Sequence, residues 1–252
     1  MVRKLVHRKT LGVRARSVCI GLMLSRFTSL GLALLIAGAP LAAAEAPSSL
    51  KDSIALIRKH LHNDYTGMFR EEGGAFKYPF ITPGSAQYPD ILWDWDSWLS
   101  NVALRQILNE KATPEEKTKA LRYEQGCVLN YLNYGSFDGW IPIIIKRETG
   151  SREELMRQTD VYETNMHKPC LAQHAAFLTK INAGDAEWLR DGFFHLQAFV
   201  NRYKNHQRHA ATGLYYWNDD MAIGVDNDPS TYMRPKKSSG SIYLNCLMYR
   251  EL

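Results

Sequence analysis

The sequence predicts an all-α fold built from antiparallel pairs of helices. Three observations carry this prediction. Apolar residues recur at helical spacing in several segments, these segments begin at recognisable capping residues, and almost no stretch alternates as a half-buried strand would. Long loops rich in aromatic and acidic residues separate the segments. A repeated order of helix, long loop and helix is typical of domains whose helices pack in pairs.

The first half of the chain contains three predicted helices. Ser49 is a plausible N-cap for the first, which carries apolar residues at helical spacing. Residues 71–92 show no period and contain several glycines and prolines, which predicts a long loop of the kind that often carries function. A second helix is predicted over about 97–110. Thr113 starts a capping box with proline at the first helical position, which predicts a third helix to about Leu132.

The second half is predicted to contain three more helices. Residues 133–140 form a glycine-marked loop, residues 141–145 form a short strand or an extended segment, and residues 146–165 are charged and irregular. The helices are expected from near Pro169 to Asn182, after a cap at Asp185, and from near Ser241 to Leu252. If the long loops gather at one end of the helices, they form one polar aromatic pocket.

The net charge of +5 comes from the N-terminal segment alone. Residues 1–44 hold seven of the 31 Lys and Arg residues and no acid, which leaves 24 basic against 26 acidic residues in the remainder. This balance, without a basic stripe, argues against a nucleic-acid partner.

Residues 1–44 are predicted to be a signal peptide, with residues 45–252 as the mature chain. The basic start is followed by an apolar run at 30–37 and by Ala42-Ala43-Ala44, an A-x-A cleavage site before Glu45. The product is therefore expected to be exported, to the periplasm or the extracellular space. The apolar run is short for a membrane span, so no membrane association is expected after cleavage, with an uncleaved anchor as the alternative.

Three cysteines would remain after cleavage, and each is expected to be a small buried residue. Their odd number and wide spacing predict neither a disulfide framework nor a zinc site. They are Cys127, Cys170 and Cys246.

The richest candidate site is the stretch 222–230, which holds Asp226, Asn227 and Asp228. The aromatic run 215–217 and two further acids lie just upstream. Aromatic rings stack on the apolar faces of a pyranose, carboxylates accept from its hydroxyls, and a carboxyl with a raised pKa can protonate a glycosidic oxygen. Two other readings remain open on these residues alone: a solvated turn, and a calcium loop that uses Asp226 and Asp228.

A second candidate cluster is the stretch 92–98, in which two acids lie among Trp93, Trp95 and Trp98. Asp96 can cap a helix, but a cap needs one acid, and indole rings are well suited to cover a sugar. A sugar-binding role for the three tryptophans and Asp96 is therefore favoured.

A third motif, at 165–169, opens a predicted helix. His167 is either a buried neutral imidazole or a functional group. Lys168 is either a surface charge or a donor to sugar hydroxyls from the start of the helix.

Six short motifs follow one another along the chain: Trp95-Asp96-Ser97-Trp98, Asn133-Tyr134-Gly135, Gly139-Trp140-Ile141-Pro142, His167-Lys168-Pro169, Gly224-Val225-Asp226-Asn227-Asp228-Pro229 and Tyr243-Leu244-Asn245. Taken in this order, they resemble the trehalase-like glycoside hydrolases. The similarity is greatest to the six-hairpin group of mannosyl-oligosaccharide glucosidase and mannosylglycerate hydrolase, in glycoside hydrolase family 63 and its relatives, and it spans about residues 50–252.

This resemblance implies an (α/α)6 toroid that hydrolyses α-linked sugars with inversion. It places the general acid at Asp226, with Asn227 beside it, and lines the −1 sugar site with Trp95 and Asp96. The loop at Trp140 and the segment at Lys168 become further sugar contacts. The sequence departs from the family pattern at 229–232 and at Tyr243, which replaces an acid, so the substrate stays open.

An inverting hydrolase also needs a carboxyl base about 6.5–9.5 Å from the acid. In the family this base is a glutamate in the last part of the toroid, so the resemblance implies that it lies past residue 252. Residues 45–252 are accordingly expected to form about half of the toroid, with exposed apolar flanks and little hydrolase activity on their own.

The expected partner is an oligosaccharide or a small glycoside, with no cofactor and no metal. The alternative is a secreted carbohydrate-binding protein without catalysis. Calcium binding at Asp226 and Asp228 is a third hypothesis.

Overall fold

A computed structural model describes residues 49–83, 88–157, 165–225 and 228–252. The predicted signal peptide therefore lies outside the described residues. The described part holds seven α-helices, two 3-10 helices and four short strands. In chain order they are α1 Leu50–Asp64, a 3-10 helix Tyr65–Met68, β1 Phe69–Arg70, β2 Phe80–Ile81, β3 Ile91–Trp93, α2 Asp94–Lys111, α3 Pro114–Asn133, β4 Ile144–Lys146, α4 Arg152–Met156, α5 Leu171–Ile181, a 3-10 helix Glu187–Gly192, α6 Phe193–His206 and α7 Ile242–Glu251.

The helix-rich class predicted from the sequence is confirmed. The strands add a detail that periodicity did not reveal, since each is only two or three residues long. β1 pairs antiparallel with β2, and β3 pairs antiparallel with β4, where Trp93 lies opposite Ile144. The second pair fixes the chain at the point where the tryptophan-rich segment enters α2.

The capping residues locate the helix starts well because each satisfies backbone donors that the helix leaves unpaired. The Ser49 hydroxyl accepts from Asp52 N, and the Ser241 hydroxyl accepts from Leu244 N. Thr113 starts α3 with the predicted capping box. A second capping box at Ser151 starts the short helix α4, in a segment predicted to be irregular. That expectation was wrong because five residues are too few to show a helical period.

The core is organised around α3, which packs against α2, α5 and α6. Asn130 of this helix accepts from Lys77 N and Tyr78 N and donates to Tyr78 O, so it holds the long loop after β1 on the helix. Gly126 permits this approach, since a side chain there would overlap the carbonyl oxygen of Pro79.

A second tie joins the last helix to α5. The buried carboxylate of Glu251 accepts from Ala172 N at 2.6 Å and from Gln173 N at 3.1 Å, so α7 caps the first turn of α5. Burial raises the pKa of Glu251 to about 6, against the hydrogen bonds that lower it. The start of α5 is thereby fixed three residues after Lys168.

One expectation about exposure was wrong, and the apolar face of one helix is exposed. Cys127 and Cys170 are buried as predicted, but Cys246 is exposed because its position faces outward on α7. The apolar residues of α1 form a helix as predicted, but the described chain does not bury them. They are Leu50, Ile54, Ile57 and Leu61. Among the described residues, the helices are all too short or too polar to cross a membrane.

Candidate functional site

The tryptophan-rich segment lies where β3 becomes α2, and its two acids face different environments. Successive residues of an α-helix are rotated by about 100°, so Asp94 and Asp96 point to nearly opposite sides. Asp94 is fully buried, whereas Asp96 is only partly buried. The sequence showed two acids among tryptophans but not which of them turns inward.

Asp94 forms a buried ion pair with Lys168. The Lys168 ammonium lies 3.0 Å from both carboxylate oxygens, and the Lys168 backbone N–H donates to Oδ2 at 2.9 Å. The two side chains are 0% and 1% exposed. Such a pair demands that both partners stay in place, because one charge left alone in the interior costs several kcal/mol, on the order of 3–5.

The indole of Trp95 lies against the same ammonium. Lys168 Nζ is 5.0 Å from the ring centroid, which is within cation–π range. Tyr243 of α7 packs edge-on against Trp95 at 5.7 Å, and Trp217 lies 6.0 Å beyond Tyr243. The segment at 92–98, the 165–169 motif and the aromatic run at 215–217 are therefore linked by direct ring and charge contacts.

Gly224 brings the acidic stretch to this cluster. Its backbone has φ +67°, and a Cβ built on it would lie 2.6 Å from Lys168 Nζ and 3.8 Å from Trp95 Nε1. Only a residue without a side chain can approach this closely in that conformation. Residue 224 thus lies directly over the ammonium and beside the Trp95 indole.

Asp226 and Asn227, the predicted acid and its neighbour, lie outside the described residues. On either side of them, Asp228 N donates to Val225 O at 3.2 Å. The Asp228 carboxylate accepts from Ser230 N at 2.7 Å. Hydrogen bonding with the Ser230 side chain, and then with its backbone N–H, lowers the pKa of Asp228. The described flanks therefore have the hydrogen bonding of a turn, one of the readings that the sequence left open.

Asp219, upstream of the same stretch, stabilises the local structure by accepting three hydrogen bonds. Its Oδ1 accepts from Met221 N, from Ala222 N and from the side-chain amide of Asn165, each at 3.1 Å. These bonds tie the acidic stretch to the segment that carries His167 and Lys168.

Asp96 lies, partly buried, close to two charged groups. Partial burial raises its pKa, the neighbouring Asp94 charge raises it further, and Lys168 opposes both. Carboxyls with a pKa shifted by burial and a charged neighbour occur often at functional sites. Trp93 and Trp98 are also partly buried, one at the end of β3 and the other one turn along α2 from Trp95.

Lys168 is buried and lies before the helix, whereas the sequence predicted either a surface charge or a donor at the start of the helix. α5 starts at Leu171, so Lys168 precedes the helix, and its ammonium donates to Asp94. A direct contact with sugar stays a prediction, and the described contacts give Lys168 a supporting position beneath Trp95 and Gly224.

His167 is the buried neutral imidazole that the sequence offered as one possibility. Burial lowers its pKa to about 4, its Nδ1 lies 2.6 Å from Lys168 O, and Tyr131 and Phe199 pack edge-on against the ring. The Tyr203 hydroxyl donates to His167 O at 2.8 Å. Together these contacts fix the backbone just before Lys168.

Trp140 lines a cavity of about 260 Å³ that does not include the Trp95 indole. The cavity lies next to the cluster of Lys168, Trp95 and Gly224, because two chain segments contribute residues to both. Met166 and Ala222 line it, whereas the residues two positions later in each segment, Lys168 and Gly224, belong to the cluster. The predicted tryptophans therefore divide between two neighbouring places.

The described residues hold no group of three His, Cys, Asp or Glu side chains that could bind a metal ion. The calcium hypothesis depends on Asp226, which lies outside them.

A family model described as the mannosylglycerate hydrolase MGH1-like glycoside hydrolase domain matches residues 88–250, more than half of the chain. The chain belongs to this family of glycoside hydrolases, which confirms the resemblance drawn from the motifs. No curated protein and no solved structure matches the chain.

The close approach of Gly224 to Lys168 can be tested against Gly184. Both glycines have positive φ, +67° and +87°, but a Cβ at Gly184 would meet no atom within 4 Å. Gly184→Ala reports the backbone strain alone, about 1–3 kcal/mol. Gly224→Ala is expected to destabilise further, by about 1–3 kcal/mol, because its methyl group must displace the ammonium.

The free energy of unfolding, measured by urea titration of both variants and the parent, checks this expectation. Equal losses in the two variants would show that Gly224 does not lie against Lys168.

Proposed function

We propose that this protein is an exported hydrolase of α-linked glycosides that acts with inversion and uses Asp226 as its general acid. The observation that carries the proposal is the position of Gly224, two residues before Asp226, against Lys168 and Trp95. Membership of a glycoside hydrolase family supports the reaction class and implies a sugar substrate. The (α/α)6 toroid that the resemblance implies is part of the same proposal.

Each site residue has a role in this mechanism that follows from its chemistry. Asp226 would protonate the glycosidic oxygen as the bond breaks, and a second carboxyl would activate water on the opposite face of the ring. Asp96 would accept from sugar hydroxyls, while Trp95, with Trp93 and Trp98 along the same segment, would cover the apolar face of the ring. Asn227 and Trp140 would make further contacts with the substrate.

Lys168 contributes mainly as a support in this proposal. Its ion pair with Asp94 fills the space beneath Trp95 and Gly224, so the acid-bearing stretch and the indole share one rigid base. Rigid supporting groups matter because catalytic groups must be held within a fraction of an ångström of their productive geometry.

The second candidate function is sugar binding without catalysis. The turn-like hydrogen bonds of Val225 and Asp228 favour it, because hydrogen bonds of this kind occur in turns that have no chemical role. The two functions differ in whether Asp226 changes the rate of bond cleavage.

The test compares aryl α-glycosides with α-glycosyl fluorides in the parent and in Asp226→Asn, in single-turnover assays with excess protein because residues 45–252 are expected to have little activity on their own. A general acid contributes about 10²–10⁴-fold when the leaving oxygen needs a proton, and little when the leaving group is already good. Asp226→Asn should therefore lose turnover of the aryl glycoside and keep most of its turnover of the fluoride. Inversion is checked by NMR of the first-formed anomer.

Asp228→Asn is the matched control, since its carboxylate is occupied with Ser230 N, and it should keep both rates. Equal loss on both substrates in Asp226→Asn would remove the acid role. Sugar binding without Asp226-dependent cleavage would instead support the non-catalytic protein.

Export is tested on the protein expressed from its own start codon in a Gram-negative host. We expect the secreted or periplasmic product to begin at Glu45, after the A-x-A site. N-terminal sequencing of the recovered protein decides this, and an uncleaved chain in the membrane fraction would favour the anchor instead.

A further inference from the structure

A groove runs outward from the Trp140 cavity along one face of α6. A second cavity, of about 360 Å³, lies beside the first, and both are lined by Arg202 and His206. Two aromatic rings of this second cavity are exposed to solvent: Phe137 at 77% and Phe194 at 52%. Large exposed rings in a concave surface often mark a ligand site.

Amide side chains line the rest of the groove at a regular interval. Gln197, Asn201 and Asn205 follow one another every four residues, so they lie on one side of α6. From the first to the last they span eight residues, about 12 Å of helix at 1.5 Å per residue. Each amide offers both donors and acceptors, which is the chemistry that sugar hydroxyls require.

The wall opposite α6 is held in place by two glycines. A Cβ at Gly135 would lie 2.8 Å from the Cβ of His195, and one at Gly139 would overlap the carbonyl oxygen of Ala198. The loop between these glycines, which carries Phe137 and Asp138, therefore lies directly on the helix. Asp138 pairs with Arg202 across the groove, and its hydrogen bond with Ser136 and this pairing lower its pKa.

We propose that this groove binds the extended part of a linear oligosaccharide, so that the protein acts on chains of three or more sugar units. The ring of Phe137 or Phe194 would stack on a sugar face, and the amides of α6 would bond its hydroxyls. The pairing of Arg202 with Asp138 matches a neutral ligand better than an anionic one, because the guanidinium charge is already balanced. The inference rests on the proposed function and extends it to a class of substrate.

The test is calorimetric titration of the 252-residue chain with α-linked glucose and mannose oligosaccharides of two to five units. Affinity for the preferred series should rise about tenfold between two and four units, the gain expected from one ring contact and one or two hydrogen bonds. In the double variant Phe137→Ala, Asn201→Ala this rise should disappear, while the affinity for two units stays the same.

Phe193→Ala and Gln106→Ala are the matched controls. Phe193 neighbours Phe194 and is similarly exposed, but it does not line the groove, and Gln106 is an exposed amide on α2. Both controls should keep the rise in affinity with length. The same affinity at every length, a rise that persists in the double variant, or no binding of any oligosaccharide would each overturn the proposal.

The outcome is separable from that of the proposed function. Cleavage of short glycosides that needs Asp226, without any gain from longer chains, would leave the hydrolase proposal intact and remove the groove. A length dependence that needs Phe137, without cleavage that needs Asp226, would do the reverse.

Discussion

The buried ion pair of Asp94 and Lys168 is the constraint on which the site depends. Its two side chains come from segments 74 positions apart in the sequence, and both are out of contact with water. The geometry satisfies both carboxylate oxygens, which is the condition under which a pair of interior charges can be tolerated. Removing either partner would leave a buried charge without compensation. Separating the two segments therefore costs a large amount of free energy.

The rest of the site is layered on this pair. Trp95 lies over the ammonium, Tyr243 supports the indole from α7, and Gly224 passes close enough that no side chain would fit. Hydrogen bonds nearby hold the segment that carries Lys168. Glu251 caps the start of α5, and the Tyr203 hydroxyl donates to the His167 carbonyl oxygen. Helices thus make a site on loops more rigid, and functional groups need such support to keep their geometry.

The helices could be predicted from the sequence because their signals are local. Capping residues at Ser49, Thr113 and Ser241 and the spacing of apolar residues located the helices with errors of a few residues. Of the short strands only β4 falls in a segment predicted to be strand or extended, and β1, β2, β3 and α4 were not found, since two to five residues carry no measurable period. The sequence also could not predict that the apolar face of α1 is exposed, because a sequence pattern shows that a face is apolar but not what covers it.

For the site, residue types were predictable and their partners were not. The sequence indicated that Trp95, Asp96, Lys168 and the acidic stretch belong together, and the structure brings Gly224 to the first and third of these. It did not reveal that Asp94 pairs with Lys168, because a long-range ion pair leaves no local signal. Trp140 lines a cavity separate from Trp95 because of how α6 packs beside it, and no sequence motif predicts that packing.

The most direct measurement is a double-mutant cycle on the free energy of unfolding, with Asp94→Asn, Lys168→Met and both together. If the pair is the base of the site, each single variant should lose about 3–5 kcal/mol, because one charge stays buried alone. The double variant should lose clearly less than the sum, with a coupling energy of about 1–3 kcal/mol. Additive losses in the cycle would contradict the account, since they would mean that the two side chains do not interact in the folded protein.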